Sequence, residues 1–144
     1  LTTYRKLAQD VVDVLAPPLG CTAPHWTAGT VLPGGDMPNA DFDAYLASLA
    51  ARHPWMPSPL LRRYARTYGT RAERILQGAR DVAGLGEEVL PGLHAREIDY
   101  LRREEWAVTA EDILYRRTKV ALHVPADGPE VLDAWLRRHP QPGA

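Results

Sequence analysis

The sequence predicts an all-α chain: a compact bundle of about five to six short helices, preceded by one helix and a Pro/Gly-rich linker. Apolar residues recur three and four positions apart through most of the 144 residues. These runs end at Gly or Pro, where helices are expected to stop. No window of four to eight residues alternates apolar and polar as a half-buried strand requires, although Val120 to Val124 has strand-like composition.

Tyr4, Leu7, Ala8, Val11 and Leu15 form the first stripe, with Thr2 or Thr3 as cap and Pro17-Pro18 as stop, predicting a helix from about 4 to 15. From Ala16 to Pro38 the chain is rich in Pro, Gly and Thr and has no sustained period. Such a stretch is long for a loop inside one domain, so the expected division is a helix over 1–16, a linker over 17–38 and a helical domain over 39–144. Phe42, Tyr45, Leu46 and Leu49 then predict a helix ending at His53-Pro54. Ser58-Pro59 opens the next, whose stripe runs through Leu60, Leu61, Tyr64, Ala65 and Tyr68 to Gly69. Thr70 and Glu73 stand at capping-box spacing before Ala72, Ile75, Leu76, Ala79 and Val82. After a break from Gly84 to Gly92, helices are expected over Ala95 to Trp106, Ala110 to about Leu122, and Pro129 to Arg138.

Charge narrows the function classes. With 17 basic and 18 acidic residues the chain has no overall field to draw nucleic acid or an anionic bilayer. The lone Cys21 excludes an internal disulfide framework and any multi-cysteine zinc site. No apolar run approaches a membrane span, and no secretory leader stands at the N-terminus. The five histidines are scattered, the closest His/carboxylate spacing being His94 with Glu97. Arg62, Arg63, Arg66, Arg71, Arg74 and Arg80 flank two helices joined by a short turn. This resembles a helix-turn-helix, but arginines opposite an apolar stripe more often form a solvated face, so no nucleic-acid partner is expected. Trp26, Trp55, Trp106 and Trp135 are core or interface candidates, with Trp55 and Met56 in a proline-bounded turn as a candidate exposed patch.

The most informative stretch is Arg103 to His123. Thr109 can cap a helix and Asp112 can reciprocate, while Asp112 and Arg116 are spaced for a local ion pair. Arg117 falls on the apolar face, where a guanidinium needs a carboxylate, and Glu104 or Glu105 is the expected partner. Glu104, Glu105, Asp112, Arg116 and Arg117 are therefore read as a structural ion-pair network in preference to a phosphate site.

Thr109, Asp112, Leu114, Arg116, Arg117 and Thr118 also reproduce the pattern Thr-x-x-Asp-x-Leu-x-Arg-Arg-Thr, and the segment closely resembles the C-terminal helical domain of FAD-dependent glycerol-3-phosphate dehydrogenases. Leu1-Thr-Thr-Tyr-Arg-Lys-Leu-Ala8 is similar to the close of that family's FAD-binding domain, where Gly-Gly-Lys normally precedes it, and Leu32-Pro-Gly-Gly-Asp36 to its interdomain linker. The lack of an initiating Met fits a segment of a longer protein. The resemblance implies that Leu1, Thr2 and Thr3 approach the flavin in the full-length protein, that helix 1–16 belongs to the upstream FAD-binding domain, and that catalytic residues lie outside this chain. It implies a whole enzyme oxidising sn-glycerol 3-phosphate to dihydroxyacetone phosphate and reducing a quinone, peripheral on the inner face of the cytoplasmic membrane. No Gly-x-Gly-x-x-Gly occurs, so neither bound FAD nor activity is expected of this segment alone. The expected partners are the upstream domain, substrate and quinone, with a homodimer as a further candidate. An oxygen-using glycerol-phosphate oxidase and a stand-alone helical interaction module are the alternatives.

Overall fold

Tyr4–Leu15 forms the first helix, α1. Thr3 precedes it without a side-chain cap bond. The computed structural model describes residues 3–140, so Leu1 and Thr2 lie outside the described residues. Contacts divide the chain into two compact units, Leu1–Leu32 and Pro33–Ala144.

In the first unit, one face of α1 carries the returning connection through polar contacts. His25 Nε2 meets the Asp13 carboxylate at 2.6 Å and Gln9 Nε2 meets His25 Nδ1 at 2.9 Å. The apolar stripe on the other face is uncovered, with Tyr4, Leu7, Val11 and Val14 all more than half exposed. No residue of this helix is buried.

The second unit starts at Pro33, earlier than the expected domain boundary at Asn39. Its helices are α2 (Phe42–Arg52), α3 (Ser58–Tyr68), α4 (Ala72–Leu76), α5 (Ala95–Glu104) and α6 (Gly128–Arg138). Asp41 caps α2 by accepting the Ala44 N–H at 3.0 Å. Their apolar stripes meet in one core that includes Leu49, Tyr64, Ile75, Ile98, Leu101 and Leu132, joined by Leu93 and Ile113 from the connecting segments. The mostly helical architecture is thus the one the 3.6-residue periodicity predicts.

Three elements differ from expectation. The helix beginning near Thr70 ends at Leu76, and Gly78 then turns left-handed at φ +79°. Its expected capping box is absent, because the Thr70 hydroxyl donates to Asp36 while Glu73 pairs with Arg52 at 2.7 Å and His53 at 2.9 Å. A small antiparallel hairpin begins in the Gly84–Gly92 break and runs past it, β1 (Glu88–Leu90) and β2 (Leu93–His94), closed by Pro91-Gly92. Strands this short are invisible to a period-2 pattern.

The third difference is the expected helix from Ala110 to Leu122. It is a π-helical turn over Asp112–Arg117, followed by a left-handed Lys119 and a 3₁₀ turn over Val120–Leu122. The Thr118 N–H reaches the Ile113 carbonyl at 3.1 Å, and its hydroxyl reaches the same oxygen at 2.7 Å. This double grip holds the widened turn.

Gly34 and Gly69 bring two backbones together. The Gly34 carbonyl accepts the Thr70 N–H at 3.0 Å, and the Tyr45 hydroxyl donates to the Gly69 carbonyl at 2.7 Å. A Cβ on Gly69 would overlap the Gly34 carbonyl oxygen. Gly69 also sits at φ +56°, ψ −137°, a region open essentially to glycine alone. Gly69→Ala is expected to destabilise the unit by about 3 kcal/mol. Gly78→Ala, left-handed but with open space around its Cβ position, should lose about 1 kcal/mol. Urea unfolding of the two variants measures the difference, and equal losses would show that the close approach contributes nothing.

Candidate functional site

The centre of the second unit is a buried carboxylate. Glu97 lies on α5 with no exposed surface, among Ile98, Tyr100 and Leu101. Arg63 of α3 reaches it with both terminal nitrogens at 2.6 Å, a bidentate pair, and also donates to the Gly92 carbonyl in the hairpin turn. The Tyr68 hydroxyl donates to the same carboxylate. Burial works against the Arg63 charge, yet the hydrogen-bonded Glu97 outweighs it and raises the guanidinium's pKa. The Arg63 guanidinium lies 4.8 Å from the Tyr64 ring centroid. One acidic side chain therefore ties α3, the hairpin and α5 together.

His94 is buried beside this cluster, 4 % exposed, and its Nδ1 has no hydrogen-bond partner among the described residues. A cavity of about 420 Å³ opens alongside, lined by Arg63, Glu88, His94 and His123 and by Pro59 and Leu60. Burial pushes the imidazole below its ordinary 6.5, against the opposing charges of Glu88 and Glu97. Among the described residues no group of three or more His, Cys, Asp or Glu is arranged to hold a metal ion.

The residues singled out in the sequence divide into separate arrangements. Asp112 accepts from the Thr109 N–H at 3.0 Å, the Val108 N–H at 3.1 Å and the Thr109 hydroxyl at 2.9 Å, while the Asp112 N–H donates back to that hydroxyl. These bonds, the backbone ones foremost, hold its carboxyl well below the usual carboxylate range. Arg116 pairs with Asp112 at 2.8 Å and Glu111 at 2.7 Å, both toward solvent.

Glu104 turns away to Arg74 at 2.6 Å. Arg117 meets neither expected carboxylate, because its Nε donates to the backbone carbonyl of Glu105 at 3.0 Å. The five residues thus do not form one network, and the buried charge pair belongs to Arg63 and Glu97. Of the three residues expected near the flavin only Thr3 is described, exposed at the start of α1.

Five of the six arginines of the apparent helix-turn-helix are engaged within the domain. Arg62 and Arg66 sit over the Phe42 ring, at 5.9 and 5.0 Å, while Arg71 and Arg74 face Glu104. Trp55 and Met56 form no exposed patch. Met56 is buried, and Trp55 is half-buried, edge-on to His53 at 5.8 Å. Trp135 is buried and donates to Glu87 at 2.8 Å, while Trp106 stands 83 % exposed.

The importance of Glu97 was missed in the sequence although its signal is there. It lies three and four residues from Tyr100 and Leu101, on a buried stripe, as Arg63 lies three residues from Leu60. A charge on an apolar face needs an opposite charge there, and Arg63 and Glu97 meet that need where Arg117 does not.

Residues 25–137 match the family described as the C-terminal domain of alpha-glycerophosphate oxidase. The chain belongs to that family. Among curated relatives it is 45 % identical over 141 residues to a glycerol-3-phosphate dehydrogenase of Pseudomonas aeruginosa, covering 97 % of this chain and 27 % of the relative. It is 40 % identical over 141 residues to the aerobic glycerol-3-phosphate dehydrogenase of Escherichia coli, covering 98 % and 28 %. A D-erythritol 1-phosphate dehydrogenase of Brucella abortus is 41 % identical over 124 residues, covering 86 % and 25 %. The chain thus spans only about a quarter of these relatives' length.

Two consequences of this geometry are measurable. Glu97→Gln leaves the Arg63 charge without its counter-ion and is expected to lose about 3–5 kcal/mol in urea unfolding. The double variant Arg63→Met/Glu97→Leu should recover much of that, and a single-variant loss below about 1 kcal/mol would remove the pair from its central role.

Stability should also depend on pH. The folded His94 has a lowered pKa, so the unfolded chain takes up the proton first. Its contribution is held above about pH 6.5 and lost as pH falls through the lower folded value. Asp112 and Asp36, also lowered, extend the loss below about pH 4. His94→Gln should flatten only the upper part of the profile, just below about pH 6.5, in unfolding midpoints taken across pH.

Proposed function

We propose that this chain is the C-terminal accessory domain of an FAD-dependent dehydrogenase that oxidises sn-glycerol 3-phosphate to dihydroxyacetone phosphate with quinone as electron acceptor. The family match over residues 25–137 carries the reading. Relatives named for glycerol 3-phosphate support it, and the chain aligns with only about a quarter of their length. A relative named for D-erythritol 1-phosphate is consistent with a polyol phosphate as substrate. A second reading, with oxygen as acceptor, is favoured by the family's description as an oxidase.

The residues present do not by themselves fit a flavin. The sequence has no Gly-x-Gly-x-x-Gly loop, and Thr3 is exposed on α1. FAD is therefore assigned to the flavin-binding domain, and α1 is its terminal helix, whose exposed stripe of Tyr4, Leu7, Val11 and Val14 would be buried there. The helical unit serves as a structural partner, consistent with arginines and carboxylates already satisfied inside it. No helix among the described residues is long and apolar enough to cross a membrane, so attachment to the inner membrane face is proposed as peripheral.

The isolated 144-residue chain is expected to show neither flavin absorbance nor glycerol-3-phosphate-dependent dye reduction, both of which the full-length protein should show. Deleting 33–144 from the full-length protein should lower the temperature at which flavin is released. An unchanged release temperature would assign the helical unit to partner binding or location instead.

A further inference from the structure

Trp106 combines exposure with backbone strain. It is 83 % exposed and sits at φ +55°, a left-handed conformation unfavourable for a side chain of its size. It follows Glu105, the cap of α5, and the next N–H, of Ala107, closes onto the Leu101 carbonyl at 3.1 Å. Helices ordinarily place glycine at this position. Here the strained residue is a tryptophan presented to the outside, with Val108, 74 % exposed, two residues on.

The turn is braced on both sides by residues of the Thr-x-x-Asp…Arg-Arg-Thr pattern. Before Trp106, Arg117 Nε holds the Glu105 carbonyl at 3.0 Å. After it, the Asp112 carboxylate takes the Val108 and Thr109 N–H groups at 3.1 and 3.0 Å. A large apolar ring on a backbone already fixed loses little freedom on binding, which is how tryptophan anchors protein interfaces.

We propose that Trp106 is the anchor by which the helical unit docks onto the flavin-binding part of the full-length chain, with Arg117 and Asp112 as positioning residues that hold its turn. This rests on the reading of the chain as an accessory domain. The occupant is chosen on length and charge. The matched region is a C-terminal domain and covers 27 % of its relative, leaving most of the polypeptide to receive the ring. Neighbouring charges are of mixed sign, with Arg74 paired to Glu104 and Arg116 to Glu111, and make no cationic field for an anionic bilayer.

The test is hydrogen exchange on full-length wild type and Trp106→Gly, at two protein concentrations, with flavin absorbance recorded on each. Glycine relieves the strain, so the helical unit keeps its own fold and only the ring is lost. The expected result is exchange at least tenfold faster in a segment preceding Leu1, with α3 and α5 unchanged. Change confined to residues 105–109 would overturn the proposal. So would wild-type protection of that segment that disappears on dilution, which identifies a second copy, or a difference seen only with anionic lipid vesicles. If the wild type carries no flavin yet the upstream segment responds, docking stands and the functional reading falls.

Discussion

A carboxylate with no access to water constrains this fold. Arg63 meets the Glu97 carboxylate with two nitrogens and Tyr68 adds a hydroxyl, and each donor comes from α3. The third Arg63 contact, to the Gly92 carbonyl, fixes the hairpin turn at the same point. Helix α3, the hairpin and α5 are therefore positioned by charge as well as by packing. The aromatic ladder of Tyr64, Tyr68 and Tyr100, with ring centroids 5.8 and 5.3 Å apart, packs beside the pair and covers the carboxylate end, where Glu97 has no exposed surface. Low polarity strengthens every bond in such a cluster and raises the cost of any missing partner.

The same economy of charge bears on function. Arg52 and His53 share Glu73, Arg74 takes Glu104, and Arg116 takes two acids on its own turn. Charges paired in this way within the unit are what the proposed accessory role calls for. The π-helical turn belongs to this description. By widening one turn it carries the Arg117 guanidinium to a backbone carbonyl on the neighbouring helix end, fixing a loop without adding a charged pocket.

The sequence made the helices legible where apolar stripes were long and punctuated, as at Phe42–Arg52 and Gly128–Arg138. The reciprocal bonds of Thr109 and Asp112 could likewise be read from spacing, because capping is local. Tertiary competition hid the rest. Thr70 and Glu73 carried a valid capping signal, but partners far along the chain captured both side chains. Arg117 and Arg63 were equally placed on apolar faces, and only the fold determined which would meet a buried acid. The hairpin escaped because five strand residues cannot establish a period, although Pro91-Gly92 marked its turn.

The paired glycines carry a consequence for how such domains are exchanged between proteins. Gly34 stands before the first helix of the unit and Gly69 after its second, yet neither position tolerates a side chain while the other backbone is in place. A chimaera joined at Asn39, where the helical pattern begins, would take one glycine from each parent and leave the Asp36 and Thr70 partners from different sequences. A junction ahead of Pro33 transfers both halves of the clasp together. The smallest segment that carries this clasp whole is therefore set by a backbone contact, and it begins inside what composition alone would call spacer.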